Sequence, residues 1–334
     1  MAPRSGGAYV QYRTADGAGF AWAQNCVPIV VYPNGFTQMS AAAIETAAAG
    51  AAAAWSAGDN SCTYLDLEVA LSTAPAPAIR NDGINAVVFR TTSWCQMTDG
   101  ACTLNYDPAA VSLSTVTAVT STGQIIDADD EFNAVDFNWA DLVAEPLSTG
   151  DQDLQNDLTE AFGHLIGLDA PCYRSLPGVT RPLDNTGQPV VDCDQASAAV
   201  QAETMFPAWP PGDTEKRTLA PDDQAAVCGI YPLAASPRSC QVGAGTCSCT
   251  TGDASAPTDG PSPDGAGPTG GSARDGGATG GGTRDASAKG AAAAEASGSG
   301  CACSSAGPPA PYRSLALAVV LIALVTFGRR RTRR

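Results

Sequence analysis

The sequence predicts an α/β domain, and three observations carry that prediction. Apolar runs rich in β-branched residues, at 27–32 (VPIVVY) and 84–90 (INAVVFR), have the length and composition of buried strands. Residues 113–120 and 124–133 are two further strand-like runs around Ser121-Thr122-Gly123, the best hairpin signal in the chain. Two stretches carry helical signals instead. Residues 40–57 are dominated by alanine, and after residue 153 the side chains of Leu154, Leu158, Ala161, Phe162 and Leu165 gather on one side at about 100° per residue.

Taken in order, the strand at 27–32 is broken by Asn34-Gly35, and the alanine-rich helix follows with Ile44 and Trp55 as its bulky contacts. Residues 62–70 (CTYLDLEVA) alternate Leu65, Leu67 and Val69 with Tyr64, Asp66 and Glu68, the period of a half-buried strand. A Pro- and Ala-rich loop leads to the strand at 84–90, after which Cys95 and Cys102 are close enough in sequence to close a small hairpin. In the second strand of the hairpin, Asp127, Asp129 and Glu131 point to one face, where hard oxygen ligands can hold calcium or make an acidic, solvated edge that discourages strand pairing. Asp151 or Asp153 can cap the helix at 154–165. Glu160 and His164 project well away from its apolar side, a two-sidedness that an ordinary surface helix also shows. Cys172 and Cys193 bracket a Pro- and Gly-rich loop and are candidates for a bridge across it. Pro221 suits a helix's first position, and Asp222 and Asp223 suit the positive end of its dipole.

Composition narrows the setting. The chain has 334 residues, 12 cysteines, one histidine and a net charge of -16. So many cysteines with so little histidine argue for disulfides in an oxidising, extracytoplasmic compartment rather than zinc ribbons. The acidic balance disfavours nucleic acid as a partner. An exported protein calls for a leader, and MAPRSGGAYV has no apolar core like that of a signal peptide, so the reading expects a start upstream or a lost leader.

The stretch 157–171, DLTEAFGHLIGLDAP, resembles the active-site helix and turn of the metzincin zinc peptidases, matrixins in particular, whose motif is H-E-x-x-H-x-x-G-x-x-H. With His164 on the second histidine, Glu160 stands at the first, Ala161 at the glutamate base and Ala170 at the third histidine. The residues that shape the backbone, Gly163 and Gly167, match the pattern, and Met205 matches the family's methionine turn. The resemblance covers about residues 9–232. It implies a twisted mixed sheet carrying two long helices, with a small irregular C-terminal subdomain that includes that turn. It makes zinc the family cofactor, with Glu160 and His164 as a remnant ligand pair. Ala161 cannot accept a proton and Ala170 cannot bind a metal, so the implied protein lacks an intact catalytic set and is not expected to hold zinc.

The remaining chain divides as an N-terminal segment at 1–8, the matrixin-like domain at 9–234, a Gly/Pro/Ser/Ala-rich spacer at 235–311 and a hydrophobic, Arg-rich tail at 312–334. Cys301-Ala302-Cys303, an apolar run at 315–327 and RRRTRR at 329–334 together resemble the C-terminal sorting signals of myxobacterial surface proteins. The apolar run is short for a permanent span, about 20 Å as a helix against a core of about 30 Å. A simple membrane tail is the competing reading, and both put the domain at the cell surface or outer envelope, with release after C-terminal processing possible under the first. The expected function is that of a catalytically inactive, surface-tethered matrixin homologue that binds a peptide or protein in the inherited groove. The alternatives are a zinc endopeptidase with an atypical ligand set and a purely structural surface module.

Overall fold

The computed structural model describes residues 8–98, 100–145, 151–174 and 180–237, and the backbone of strands at 240–242, 245–249, 301–304 and 319–327. Most of the expected spacer at 235–311, the N-terminal residues 1–7 and the arginine tail at 329–334 lie outside the described residues. The chain divides into two units, residues 1–248 with 303–334, and residues 249–302. The central sheet, the helices and the site described below belong to the first.

In chain order the elements are β1 (Val10–Gln11), β2 (Cys26–Tyr32), α1 (Ala41–Trp55), β3 (Asp66–Leu71), β4 (Ala86–Arg90), β5 (Cys95–Thr98), β6 (Ala101–Asn105), β7 (Ala110–Val119) and β8 (Ile125–Asn133). There follow β9 (Trp139–Ala140), β10 (Gln152–Asp153), α2 (Leu154–Leu165), β11 (Leu168–Asp169), β12 (Cys172–Tyr173), β13 (Val191–Asp192), α3 (Ala198–Gln201), α4 (Pro221–Ile230), β14 (Cys240–Val242), β15 (Gly245–Cys249), β16 (Cys301–Ser304) and β17 (Val319–Phe327).

Five strands make a mixed sheet in the order β7-β8-β4-β2-β3. The pairs β2–β3, β2–β4 and β4–β8 are parallel, and β7 runs antiparallel to β8. The α/β class is therefore as expected, and the hairpin of residues 113–133 pairs from Ser112↔Phe132 to Ala118↔Ile125, with one register shift between Thr117 and Ala118. β17 adds a sixth strand, antiparallel to β7. The apolar C-terminal run is thus extended backbone over residues 319–327, and among the described residues no helix is long and apolar enough to cross a membrane.

The helices cover the sheet through one core. Its largest buried side chains include Trp55, Phe20, Phe132, Phe162, Ile29, Leu158 and Tyr231. Alanine makes α1 a good helix and also a thin one, so α2 can lie close against it. At Gly50 a methyl group would meet Gln155 Nε2 at 2.6 Å, and Trp55 Nε1 donates to the Thr159 carbonyl at 2.7 Å. Ser40 caps α1 and Asp153 caps α2, its Oδ1 accepting from the Asn156 amide at 2.9 Å. The same carboxylate takes a two-armed contact from Arg217, which fixes where α2 begins.

Disulfides join Cys95 to Cys102 and Cys172 to Cys193, and a third joins Cys62 to Cys228 across 166 residues. That last bridge ties the turn before β3 to α4 and has no local sequence signal.

Candidate functional site

Helix α2 is the centre of the site, and it is buried nearly all round. Its apolar side, Leu154, Leu158, Ala161, Phe162 and Leu165, packs into the core as its periodicity requires. Beyond Leu165 the chain turns at Gly167, whose φ of +99° suits glycine alone, and a side chain there would strike the Phe20 carbonyl at 2.5 Å. The turn is pinned from outside. Tyr12 donates its amide to the Gly167 carbonyl at 2.9 Å, Trp22 Nε1 donates to the Leu165 carbonyl at 3.0 Å, and the Tyr231 hydroxyl donates to the Ile166 carbonyl at 2.7 Å.

Glu160 and His164 do share one face, as their four-residue spacing dictates. His164 Nε2 lies 2.9 Å from Glu160 Oε1. The expected groove, however, is not at this face: the two side chains are 0% and 1% exposed. The cause is the N-terminal segment. β1 pairs antiparallel with β11 directly after the turn, and this brings the Tyr12 ring over the imidazole at 5.9 Å between centroids. Tyr12 Oη is 2.9 Å from His164 Nδ1, and the Leu168 carbonyl is 2.8 Å from the same nitrogen. The Tyr12 hydroxyl also reaches the Asp169 carboxylate.

These surroundings set the charge on His164. Burial pulls the imidazole pKa down, but the Glu160 charge, its hydrogen bond, the Leu168 carbonyl and Asp169 outweigh that and carry it up to about 9. The ring's Nε2 faces Glu160, and its Nδ1 faces the Leu168 carbonyl and the Tyr12 hydroxyl.

More ionisable groups are buried around this pair. Asp130, on the face of β8 opposite Asp129, accepts from Ser114 Oγ at 2.5 Å, and burial lifts its pKa to about 7 against the pull of Ser114 and His164. Asp157 takes a hydrogen bond from Trp209 Nε1 at 3.2 Å, and burial with the charge of Glu160 raises it well above the carboxylate range. Lys216 donates to the Phe206 carbonyl at 2.5 Å and sits over the Phe206 and Trp209 rings. Burial lowers its pKa to about 8, although Glu160, Asp213, Asp223 and Asp157 all favour its charge. Met205 closes the floor: a methyl group on Gly163 would lie 2.1 Å from its Sδ and 2.8 Å from the Trp55 ring.

Does this donor set fit zinc? A zinc site needs three or four protein donors around one point. Ala161 is fully buried in the core and Ala170 offers a methyl group. Among the described residues, no third carboxylate or thiolate converges with Glu160 and His164. The one group of three that does converge is Cys26, Asp66 and Glu68, and the sulfur of Cys26 is already in a disulfide. The residues present therefore fall short of a zinc centre.

The calcium candidates separate in the same way. Asp127 accepts from the Gly83 amide at 2.8 Å, Asp129 from the Ala86 amide at 2.9 Å, and Glu131 pairs with Arg90 at 2.5 Å and takes the Tyr106 hydroxyl at 3.0 Å. All three share a face as expected, but they are buried and do not meet. Alternate residues on a strand stand roughly 7 Å apart, so each carboxylate finds its own partner. They hold the loop at residues 80–86 and Arg90 onto β8. They do not form a solvated edge, because β8 lies between β7 and β4.

A hollow between α1 and β3, lined by Ala49, Ala52, Ala53, Ser56, Asp66 and Val69, includes none of the His164 network. No protein-family model matches the chain, and no curated protein matches it in sequence.

The sequence reading passed over Tyr12, Asp130, Asp157, Lys216 and Trp209. One signal was available. Asp129 and Asp130 are adjacent in a strand, so their side chains must leave on opposite faces, and one of them had to meet the helix.

Proposed function

We propose that this chain is a matrixin-like domain that has given up metal-dependent proteolysis and persists as an exported, disulfide-braced surface module. The observation that carries this reading is the buried Glu160–His164 pair, in contact at 2.9 Å, with no third carboxylate or thiolate converging on it among the described residues. The matrixin-like part of the reading draws support from the strand order with its single antiparallel member, β7, and from Met205 lying against Gly163 beneath the helix. Disulfides such as Cys62–Cys228, Cys95–Cys102 and Cys172–Cys193 favour an oxidising compartment. The peptide- or protein-binding role once expected of the helix's polar face is not retained, because that face is closed by Tyr12 and β1.

What remains at the old metal position does a structural job. The His164 ring bridges helix and turn, its Nε2 meeting Glu160 on α2 and its Nδ1 the Leu168 carbonyl on β11. Ala161, standing where the motif has its acid, cannot take a proton from water, and loss of a general base typically costs about 10² to 10⁴ in rate.

The test is metal content and proteolysis of the purified chain. We expect less than stoichiometric zinc after dialysis and no chelator-sensitive cleavage of a denatured protein substrate. One zinc per chain together with such cleavage would overturn the reading. Its structural half is tested by restoration: Glu160→His, Ala161→Glu and Ala170→His introduced together should produce a chain that retains zinc through dialysis. A folded triple variant that binds no zinc would show the alignment of α2 with the peptidase helix to be wrong.

A further inference from the structure

The edge of the sheet at β7 poses a problem that the site does not explain. Long, uncharged edge strands invite pairing with other chains, and proteins protect them with Lys, Pro, bulges or a cover. The opposite edge, β3, is six residues long and carries Asp66 and Glu68. β7 has ten residues, AVSLSTVTAV, and not one charge or proline. It is covered instead. β17 pairs with it antiparallel from Val319↔Val119 to Phe327↔Ala110, with one register shift, between Thr326 and Phe327.

We propose that the outer edge of β7 is a strand-acceptor site and that residues 319–327 are its occupant, a donor strand supplied by the same chain and able to leave. The sequence of the donor, VVLIALVTF, has no Gly, Pro or charge and is dominated by strand formers. Arginines follow at once, at 329–331 and 333–334, where charges discourage further stacking. Covalent attachment makes docking intramolecular, which favours this occupant over any free peptide of similar chemistry.

The consequence concerns how the C-terminal segment is used. While it completes the sheet it cannot enter a bilayer, and when it is drawn away or cut off, β7 is left as an open edge that matches an extended apolar segment. Docking and membrane engagement of residues 319–327 therefore compete. The inference does not depend on the absence of catalysis.

Hydrogen exchange on the intact chain tests it. Peptides covering 319–327 should exchange at least tenfold more slowly than the same segment in concentrated urea, and exchange at the unfolded rate would overturn the proposal. Ala323→Pro removes a ladder donor from the middle of β17. In that variant, exchange in 110–119 should quicken tenfold or more while α2 keeps its protection, and unchanged protection of 110–119 would count against docking. A synthetic peptide of residues 315–330 should then bind the variant at micromolar concentration, restore protection to 110–119, and leave the wild-type chain unbound. Equal binding to both proteins, or to neither, would show that β7 is no acceptor. If Ala323→Pro does not fold, the wild-type measurement alone decides.

Discussion

Glu160 and His164 stand four residues apart on one helical face, the geometry that elsewhere serves a metal, and here the two side chains are partners of each other. Removing one member of a buried pair strands the other without compensation, at a typical cost of roughly 3–5 kcal/mol. We therefore expect His164→Gln to lower urea stability by about that much, and Glu160→Gln to do so less. The double variant should be milder than the sum of the singles, and additivity would show that the pair is not coupled. Gly163 is a second residue with a sharp consequence. Its substitution by alanine pushes a methyl group toward Met205 Sδ and the Trp55 ring. Overpacking of this kind costs about 1–3 kcal/mol, and a thermal melt of Gly163→Ala matching wild type would contradict the placement of Met205. The glycine and the methionine were legible in the sequence, because the pattern around His164 singled them out. Tyr12 was not, since 152 residues separate it from the histidine it covers and only the pairing of β1 with β11 brings them together.

Among the elements, α2 depends most on its start. Asp153 caps the helix, accepts the Leu142 amide at 2.9 Å and holds Arg217, which also reaches Asp141 at 2.5 Å. Loss of a cap costs about 1 kcal/mol and loss of a buried charge partner several more. Asp153→Ala is expected to destabilise by at least about 3 kcal/mol in urea titration, with Asp153→Asn intermediate because it keeps the cap and loses the charge. The strand of acids, β8, shows that alternation fixes which side chains share a face and not whether that face is exposed. Asp127, Asp129 and Glu131 do share a face, yet whether a face is wet depends on what lies over it. Here the loop at 80–86, Arg90 and Tyr106 cover it. None of those partners is local to β8.

The whole molecule carries an unusual number of buried acids with raised pKa values, and this gives its stability a direction in pH. Burial lifts Asp127 to about 6, Asp129 to about 8, and Asp130 and Asp223 to about 7, while His164 stands at about 9. A group whose pKa is higher folded than unfolded stabilises fully below its unfolded value, and that contribution is lost as pH rises through its folded value. For the carboxylates the loss runs from about pH 4 to pH 8, and for His164 from about pH 6.5 to pH 9. Lys216, lowered to about 8, acts in the opposite sense and offsets part of the loss only above pH 8. The melting temperature should therefore be higher near pH 5 than at pH 8, and a melting temperature that rises over this interval would refute the burial of these acids.

By itself the sequence determined the α/β class, the hairpin and both long helices, because periodicity and caps are local properties. Only the tertiary structure decided the environment of the groups that remained. Whether His164 faces a groove or is sealed under Tyr12, whether three acids meet one ion or three separate partners, and whether residues 319–327 lie against β7 all turn on contacts between distant segments. Burial and hydrogen bonding are set by what packs against a residue, and that partner is chosen by the fold as a whole.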